Sequence, residues 1–486
     1  MKSRQHRLGP VLVVVLIVGA MALRASTLLR YDLWYDELYS VFTALGDLPQ
    51  LWASAVADRV HPPLFYLTLW GWLKVVEPTP AALRLLPLGL YLAAILASWW
   101  AAAALSPRGR ALTALAVAVS PIVFEAGAEL RGTILLVTLL ALAIGAVRRL
   151  TTSEGHRPAD RAILVAAAIA ATWTHYFAWP SVLALVLILA RRGRGREGLL
   201  VGGASLLAAI PWAVALAATS RSSVGIQLAW SHHPTLRDAL HFPGTLLADR
   251  TPIVAMAIAA LFGWLLLANA LRTPAQRDLA LLVIAPPLAL LAGGWVFGVG
   301  LWDPRYLIGA VVPLALLIGE WSDTAHPGAL LGTAALLALS AWGAITPATW
   351  RIPWRTVTET LLTRAPRQPV YVFDGFTALP LRYYARMSGE ALAVPEIKQW
   401  PDATTPAGWL LLRPSSFANG PSAPERLRAS RTHRDRFSGD WDRGESSGGV
   451  EVSVRGIYSR ACQCAARGGR VTVNVERGGQ LSSRTT

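Results

Sequence analysis

Acidic, histidine and aromatic side chains are concentrated directly after the first apolar run of the chain. Residues 32–40 read D-L-W-Y-D-E-L-Y-S, and residues 58–66 read D-R-V-H-P-P-L-F-Y. A carboxylate this close to hydrocarbon is costly unless it faces water or a polar cavity, so acids at a membrane edge indicate a functional site. Asp36 and Glu37 are therefore the first candidates for catalysis.

Asp36 and Glu37 are adjacent, so their side chains diverge on a helix or a turn and do not form the facing carboxyl pair of a glycosidase. One of them can reach a reacting hydroxyl while its neighbour binds a cation, a basic side chain or a backbone amide. The alternative is that both acids stabilise the start of an interfacial helix through its dipole. Trp34, Tyr35 and Tyr39 frame the pair, and such rings suit stacking on a sugar as well as a membrane interface.

Further ionisable and aromatic groups stand beside later apolar runs. They are His61, Glu129, Arg131, His175, Arg305 and Tyr306. His61 could bind a phosphate, a metal or a carboxylate, although a lone histidine is more often a structural hydrogen-bonding group. Glu129 and Arg131 form either a functional pair or a salt bridge at a helix end. An arginine at the mouth of a span, such as Arg305, pairs bidentately with a phosphate or extends toward lipid headgroups.

The chain as a whole has the composition of an integral membrane protein. Of its 486 residues, 54% are hydrophobic and 15% are charged, against about 25% charged in soluble domains. The formal net charge is +16, but the arginines cluster in short runs between apolar segments, where they set orientation. We therefore expect no nucleic-acid partner. Cys462 and Cys464 form a lone C-x-C, which is weak evidence for a metal or a disulfide.

Eleven apolar runs predict a polytopic α-helical membrane protein. They cover residues 8–28, 85–105, 111–124, 132–147, 162–174, 177–190, 198–219, 251–271, 279–301, 306–319 and 328–346. Several are shorter than the roughly 20 residues that cross a bilayer, but flanking residues can extend them. The first run follows a basic N-terminus as in a signal peptide. No convincing cleavage site precedes Arg24, so we expect an uncleaved first helix.

Charge asymmetry sets the predicted orientation. If the apolar stretch 64–76 lies at the interface instead of crossing, the basic loops fall on the same side as the N-terminus, as the positive-inside rule requires. The N-terminus is then cytoplasmic, and the first external loop covers about residues 29–82. All of the candidate residues named above face outward in this topology. A shared external active site explains that coincidence most simply.

The chain changes character after the last apolar run. Strand patterns occur at residues 369–374, 409–412 and 451–458, and a helical pattern occurs at 379–385. They predict a small extracytoplasmic α/β domain over residues 347–460. Residues 415–449 are rich in Arg, Ser, Gly and Pro and predict a loop. The tail, residues 461–486, is expected to be disordered.

Five short motifs, in their order and spacing, resemble those of the GT-C membrane glycosyltransferases related to protein O-mannosyltransferases and lipid A aminoarabinose transferases. The motifs are W-Y-D-E-L-Y-S (34–40), D-R-V-H-P-P-L-F-Y (58–66), E-L-R-G-T (129–133), H-Y-F (175–177) and D-P-R-Y-L (303–307). The resemblance covers residues 1–346, and the α/β domain is similar to the small periplasmic domains that often follow. One departure is Thr133, where relatives usually carry tyrosine.

The resemblance implies transfer of a sugar from a polyprenyl-phosphate-linked donor to a protein, lipid or glycan acceptor on the outer face of the membrane. It implies that Asp36 is the base, with Glu37 or Glu129 orienting it or helping to bind a divalent cation. In-line attack then inverts the anomeric carbon. The phosphate-binding set that follows is His61, Arg131, His175, Arg305 and Tyr306. The sequence has no Gly-rich nucleotide-binding loop, which agrees with a lipid donor.

A polytopic lipid or polysaccharide transporter, or a flippase, is the alternative interpretation. Proteins of that class should show ionisable residues near mid-span, broken helices in paired halves, or internal repeats. None of these features is clear in the sequence, so we favour the enzyme.

Overall fold

The chain divides into two units in a computed structural model. The helical unit comprises Met1–Leu29 and Ser40–Pro347, and the mixed unit comprises Arg30–Tyr39 and Ala348–Thr486. The structure describes residues 2–152, 158–218, 231, 233–324, 327–347, 351–364, 369–372, 375–396, 408–412, 452–457, 471–475 and 481–484. The short segment that carries the first acidic motif therefore belongs with the C-terminal part of the chain.

Every apolar run identified in the sequence forms one or two helices. Up to residue 345 they are α1 (Lys2–Ser26), α2 (Tyr35–Leu45), α3 (Leu48–Asp58), α4 (Leu64–Leu73), α5 (Pro80–Ala101), α6 (Pro107–Val119), α7 (Pro121–Ala126), α8 (Gly132–Thr152), α9 (Pro158–Thr174), α10 (Trp179–Arg191), α11 (Gly195–Ala217), α12 (Leu236–Ala248), α13 (Ile253–Asn269), α14 (Pro274–Phe297), α15 (Val311–Ser322) and α16 (Pro327–Ile345). Short 3₁₀ turns precede α10 (Tyr176–Ala178) and α15 (Pro304–Ala310).

Six helices in the described part of the chain are long and apolar enough to cross a membrane. They are α5, α8, α11, α14, α16, and α15 together with its 3₁₀ turn. Helices α12 and α13 are bent by 101° at a short break and would add a seventh crossing if they form one broken span. The chain is thus a multi-pass helical membrane protein. The count of eleven spans stays a prediction.

Proline explains why the run at 111–124 forms two helices. Pro121 has no N–H to donate to the preceding turn. Ser120, before it, has an extended ψ of 124°, as is usual for the residue before a proline. Helix α6 therefore ends at Val119, and α7 begins at Pro121.

Helix α4 is too short to span a bilayer. Its 10 residues cover about 15 Å, against a hydrocarbon core of about 30 Å. This length agrees with the interfacial position predicted for residues 64–76.

Helix α8 forms the centre of the helical unit, packed between α5 and α9. Leu136, Leu140 and Ile144 follow one another at four-residue intervals, so they lie on one face of the helix. Their exposed fractions are 2%, 0% and 1%. A helix buried in this way is a rigid support, and Arg131 lies directly before its first residue.

The described residues after Pro347 form a five-stranded sheet and two helices. The elements are α17 (Trp354–Arg364), β1 (Val370–Val372), α18 (Gly375–Met387), β2 (Gly408–Leu412), β3 (Val452–Ile457), β4 (Val471–Val475) and β5 (Leu481–Arg484). The strands follow the order β1-β2-β3-β4-β5. Strands β1 and β2 are parallel, with α18 in the connection between them, and the other pairs are antiparallel. The predicted α/β character is confirmed.

The tail differs from the disordered segment that we expected. Strands β4 and β5 lie within residues 461–486 and pair with each other. The stretch V-T-V-N-V at 471–475 alternates β-branched and polar residues, which is a strand pattern. The predicted loop at 415–449 and Cys462 and Cys464 lie outside the described residues.

The predicted topology places Arg196 inside and Glu390 outside the cell, with an odd number of spans between them. Both residues are exposed, so a cysteine should be tolerated at either position. Cys462 and Cys464 are replaced by serine so that the new cysteine is the one labelled. We expect a membrane-impermeant maleimide to label Glu390→Cys in intact cells and Arg196→Cys only after permeabilisation. Labelling of both variants from one side would contradict the topology.

Candidate functional site

Turns between helices of the helical unit bring charged and aromatic side chains together. His61 follows α3, Arg131 precedes α8, His175 follows α9, and Arg305 and Tyr306 lie in the 3₁₀ turn before α15. Arg131 Nη2 is 3.2 Å from His61 Nε2. The ring centroid of His175 is 5.1 Å from that of His61 and 6.0 Å from that of Tyr306. These five residues, which we call the arginine–histidine cluster, are the predicted phosphate-binding set.

A left-handed residue ends α3 and directs the chain toward His61. Arg59 has φ 59°, and its N–H donates to Ala55 O at the end of the helix. Its carbonyl oxygen accepts a hydrogen bond from the Tyr176 hydroxyl at 3.1 Å. The turn that carries His61 is thereby attached to the turn that follows His175. Positive φ is uncommon outside glycine, so the surrounding contacts must hold this conformation.

Two buried side chains support the turn that carries Arg131. The Arg84 guanidinium, 2% exposed, donates to Ala128 O. The Tyr91 hydroxyl donates a hydrogen bond to Ala118 O, and the Tyr91 ring packs against Gly127. A Cβ at Gly127 would lie 2.8 Å from the Tyr91 ring, so only glycine fits there. The position of Arg131 thus depends on side chains from α5.

His61 is held in its neutral form. Its side chain is 13% exposed. Burial, with the guanidinium charges of Arg131 and Arg305, holds the pKa of His61 well below its ordinary value. Arginine can only donate, so Nε2 accepts the hydrogen bond from Arg131 and the neutral ring carries its proton on Nδ1. The positive charge of the cluster therefore resides on the two arginines.

Asp58 lies on the other side of the His61 ring. His61 Nδ1 is 4.0 Å from Asp58 Oδ2, which accepts a hydrogen bond of 3.0 Å from the Tyr66 hydroxyl. Burial raises the pKa of Asp58. We did not identify Asp58 from the sequence, although its spacing of three residues before His61 would have indicated that the two side chains can meet.

Local hydrogen bonds orient Arg305 and His175. Asp303 Oδ1 accepts from the backbone N–H of Arg305 at 2.8 Å and from its Nε at 2.9 Å. The Arg305 side chain is 29% exposed. His175 Nδ1 accepts from the backbone N–H of Phe177 at 3.2 Å, which sets the rotation of its ring. A partly exposed guanidinium of this kind suits a phosphate group.

A small recess adjoins the cluster. It is lined by Ser40, His61, Phe65, Tyr66, Arg131, Gly132 and Thr174. A Cβ at Gly132 would lie 3.1 Å from the Thr174 side chain and 3.3 Å from Phe65 Cβ. The glycine therefore permits the close approach of the three helices that carry these residues.

The predicted catalytic acids belong to the mixed unit. Asp36 and Glu37 occupy the first turn of α2. Glu37 is 0% exposed, and its Oε2 lies 3.6 Å from Nη1 of Arg351, whose side chain is 4% exposed. Asp36 is partly exposed. Of the two adjacent acids, Glu37 thus binds a basic side chain. The sequence contains no signal that would have indicated Arg351.

The described residues do not fit the divalent cation that the resemblance leaves open. Within them, no group of three or more His, Cys, Asp or Glu side chains is arranged to hold a metal ion. Glu37, one of the acids considered for such a role, is already paired with Arg351. Glu129, the other, is 2% exposed.

Comparisons with known proteins identify the fold. The sequence matches no protein-family profile and no curated protein sequence. The structure is similar to that of ArnT from Cupriavidus metallidurans bound to undecaprenyl phosphate, with a TM-score of 0.52 and 13% identity over 84% of this chain and 94% of that chain. For the apo state of ArnT the TM-score is 0.51 and the identity 14%, over 84% and 93% of the two chains. The chain has the GT-C fold, as its motifs indicated.

The lowered pKa of His61 predicts a loss of stability in acid. Above about pH 6.5 the imidazole is neutral in both the folded and the unfolded chain. Below that pH the unfolded chain binds a proton that the folded chain does not, so stability falls by up to about 1.4 kcal/mol per pH unit, until the pH reaches the lower folded pKa. We expect His61→Gln to reduce the fall in unfolding temperature between about pH 7.5 and pH 5.5.

The matched control is His233→Gln, because His233 is exposed. This variant should keep the pH dependence of the wild type. Equal pH dependence in the wild type and His61→Gln would show that His61 is protonated as readily in the folded state as in the unfolded chain.

Proposed function

We propose that the protein transfers a sugar from a polyprenyl-phosphate-linked donor to an acceptor on the outer face of the membrane. The observation that carries this proposal is the arginine–histidine cluster, in which Arg131 and Arg305 stand beside the neutral imidazole of His61. The GT-C fold and the undecaprenyl phosphate bound by the similar ArnT support a lipid-linked donor. The sugar would be a hexose or a pentose.

The arginines would bind the donor phosphate and stabilise the charge that develops on it. A sugar linked to a phosphate already has a good leaving group, so the protein has to place the reactants and stabilise the departing oxygen. Arg131 and Arg305 supply two positive charges for this purpose. His61 accepts a hydrogen bond from Arg131 and thereby orients its guanidinium. The His175 ring lies against His61, and the Tyr306 ring lies against His175.

Asp36 would remove the proton from the acceptor hydroxyl. The acceptor oxygen forms a bond to the anomeric carbon as the bond from that carbon to the phosphate oxygen breaks. The proton passes to the Asp36 carboxylate, and polyprenyl phosphate leaves with the bonding electrons. Attack opposite to the leaving group inverts the anomeric carbon. Asp36 suits this role better than Glu37, because Asp36 is partly exposed and Glu37 is buried against Arg351.

Arg305→Ala should weaken the binding of undecaprenyl phosphate without unfolding the protein. The substitution removes the guanidinium, but the backbone N–H at position 305 can still donate to Asp303, so the turn should keep its shape. We expect the increase in unfolding temperature caused by added undecaprenyl phosphate to be largely lost in this variant. Arg272→Met, at an exposed position, should keep it. Equal protection of Arg305→Ala and the wild type would show that Arg305 does not bind the phosphate.

Asp36→Asn should slow transfer strongly while leaving donor binding intact. The amide keeps the shape of the carboxylate but cannot accept a proton, so transfer should fall by roughly 10²-fold to 10⁴-fold. The measurement is mass spectrometry of envelope glycans from cells that carry either form at equal protein levels. Glu359→Gln removes an exposed acid of the same unit and should have no effect. Unchanged glycans in the Asp36→Asn cells would exclude Asp36 as the base and favour the transporter interpretation.

A further inference from the structure

The segment Arg30–Tyr39 is attached to the C-terminal part of the mixed unit at several separate points. Asp32 Oδ2 accepts the backbone N–H of Arg355, in the first turn of α17, at 2.8 Å. The backbone N–H of Leu33 donates to the Tyr384 hydroxyl at 2.7 Å. The ring centroids of Tyr35 and Phe376 are 4.2 Å apart. Residues far apart in the chain thus hold the segment immediately before Asp36.

The Glu37–Arg351 ion pair is a further, buried attachment of the same segment. The two side chains are 0% and 4% exposed. The Arg351 guanidinium carbon also lies 5.5 Å from the ring centroid of Tyr31 and 5.5 Å from that of Trp34. Glu37 Oε2 accepts the backbone N–H of Trp34 at 3.3 Å. Arg351 therefore contacts residues before the first turn of α2 and within it.

The direction of the Asp36 side chain depends on this pair. Consecutive residues of an α-helix point roughly 100° apart around its axis. When Glu37 is fixed toward Arg351, the rotation of the first turn is fixed, and the direction of Asp36 is fixed with it. A buried ion pair adds little stability compared with apolar residues of the same size. Its contribution here is orientation.

We propose that Arg351 is a positioning residue for Asp36: by pairing with Glu37 it holds the first turn of α2 in the orientation in which Asp36 can take the acceptor proton. This inference rests on the proposed function, in which Asp36 is the base. Glu37 then serves to attach the first turn of α2 to Arg351. The C-terminal part of the chain contributes to catalysis through Arg351 without touching the reacting atoms.

The test compares Arg351→Met with the double variant Glu37→Gln/Arg351→Met. The single variant leaves Glu37 buried without this cation and can fail to fold. The double variant removes both charges and keeps similar volumes, so it separates stability from orientation. Arg382→Met is the matched control, because Arg382 forms an ion pair with Glu396 in the same unit, but their side chains are 45% and 47% exposed.

Two quantities are measured at equal protein levels: the envelope glycan product by mass spectrometry, and the rise in unfolding temperature on adding undecaprenyl phosphate. A misplaced catalytic group costs about 10²-fold in rate. We expect the double variant to lose product by about that factor, to keep the response to undecaprenyl phosphate, and to unfold at nearly the wild-type temperature. Arg382→Met should match the wild type in both quantities.

Two other outcomes overturn the proposal. If the double variant makes product at the wild-type level while Asp36→Asn makes none, Arg351 serves only to neutralise Glu37, and the proposed function stands. If Asp36→Asn makes product at the wild-type level, the assignment of the base is wrong, and the positioning role falls with it.

Discussion

Charges that are removed from water must be paired, hydrogen-bonded or neutralised, and this constraint shapes both units of the protein. In the helical unit, His61 is held neutral and accepts a hydrogen bond from Arg131, while the buried guanidinium of Arg84 is bound to a backbone carbonyl. In the mixed unit, the buried Glu37 pairs with Arg351 and accepts the backbone N–H of Trp34. These interactions also set the positions of Arg131 and of the turn that carries Asp36, to which we assign functions.

The two units make different contributions to the proposed reaction. The cluster concentrates positive charge on two arginines with neutral rings around them, which suits a phosphate that gains charge as it leaves. The first turn of α2 has one acid buried in an ion pair and the other partly exposed, which suits a base that must be both accessible and directed. Leaving-group stabilisation and proton removal are thus separate tasks, assigned to side chains whose environments differ.

Much of this arrangement could be predicted from the sequence because hydropathy and charge are local properties. Apolar runs predicted the helices, and the positive-inside rule placed His61, Arg131, His175 and Arg305 on one predicted face of the membrane. The structure brings these residues together. The pairing of Glu37 with Arg351 could not be predicted, because an arginine after the last apolar run has no local feature that distinguishes it from a topology signal. Strands β4 and β5 were not predicted, because the segment around them is rich in Arg and Gly, a composition typical of disorder. The alternating pattern of β4 covers only five residues.

The central claim is that the protein consumes a polyprenyl-phosphate-linked sugar, and the pool of such lipids tests it most directly. Mass spectrometry of lipid extracts from cells that lack the protein should show one sugar-linked polyprenyl phosphate accumulating above its level in cells that contain the protein. Restoring the wild-type chain should return that lipid to its normal level, and restoring the Asp36→Asn chain should not. A pool of lipid-linked sugars that is the same with and without the protein would contradict the account.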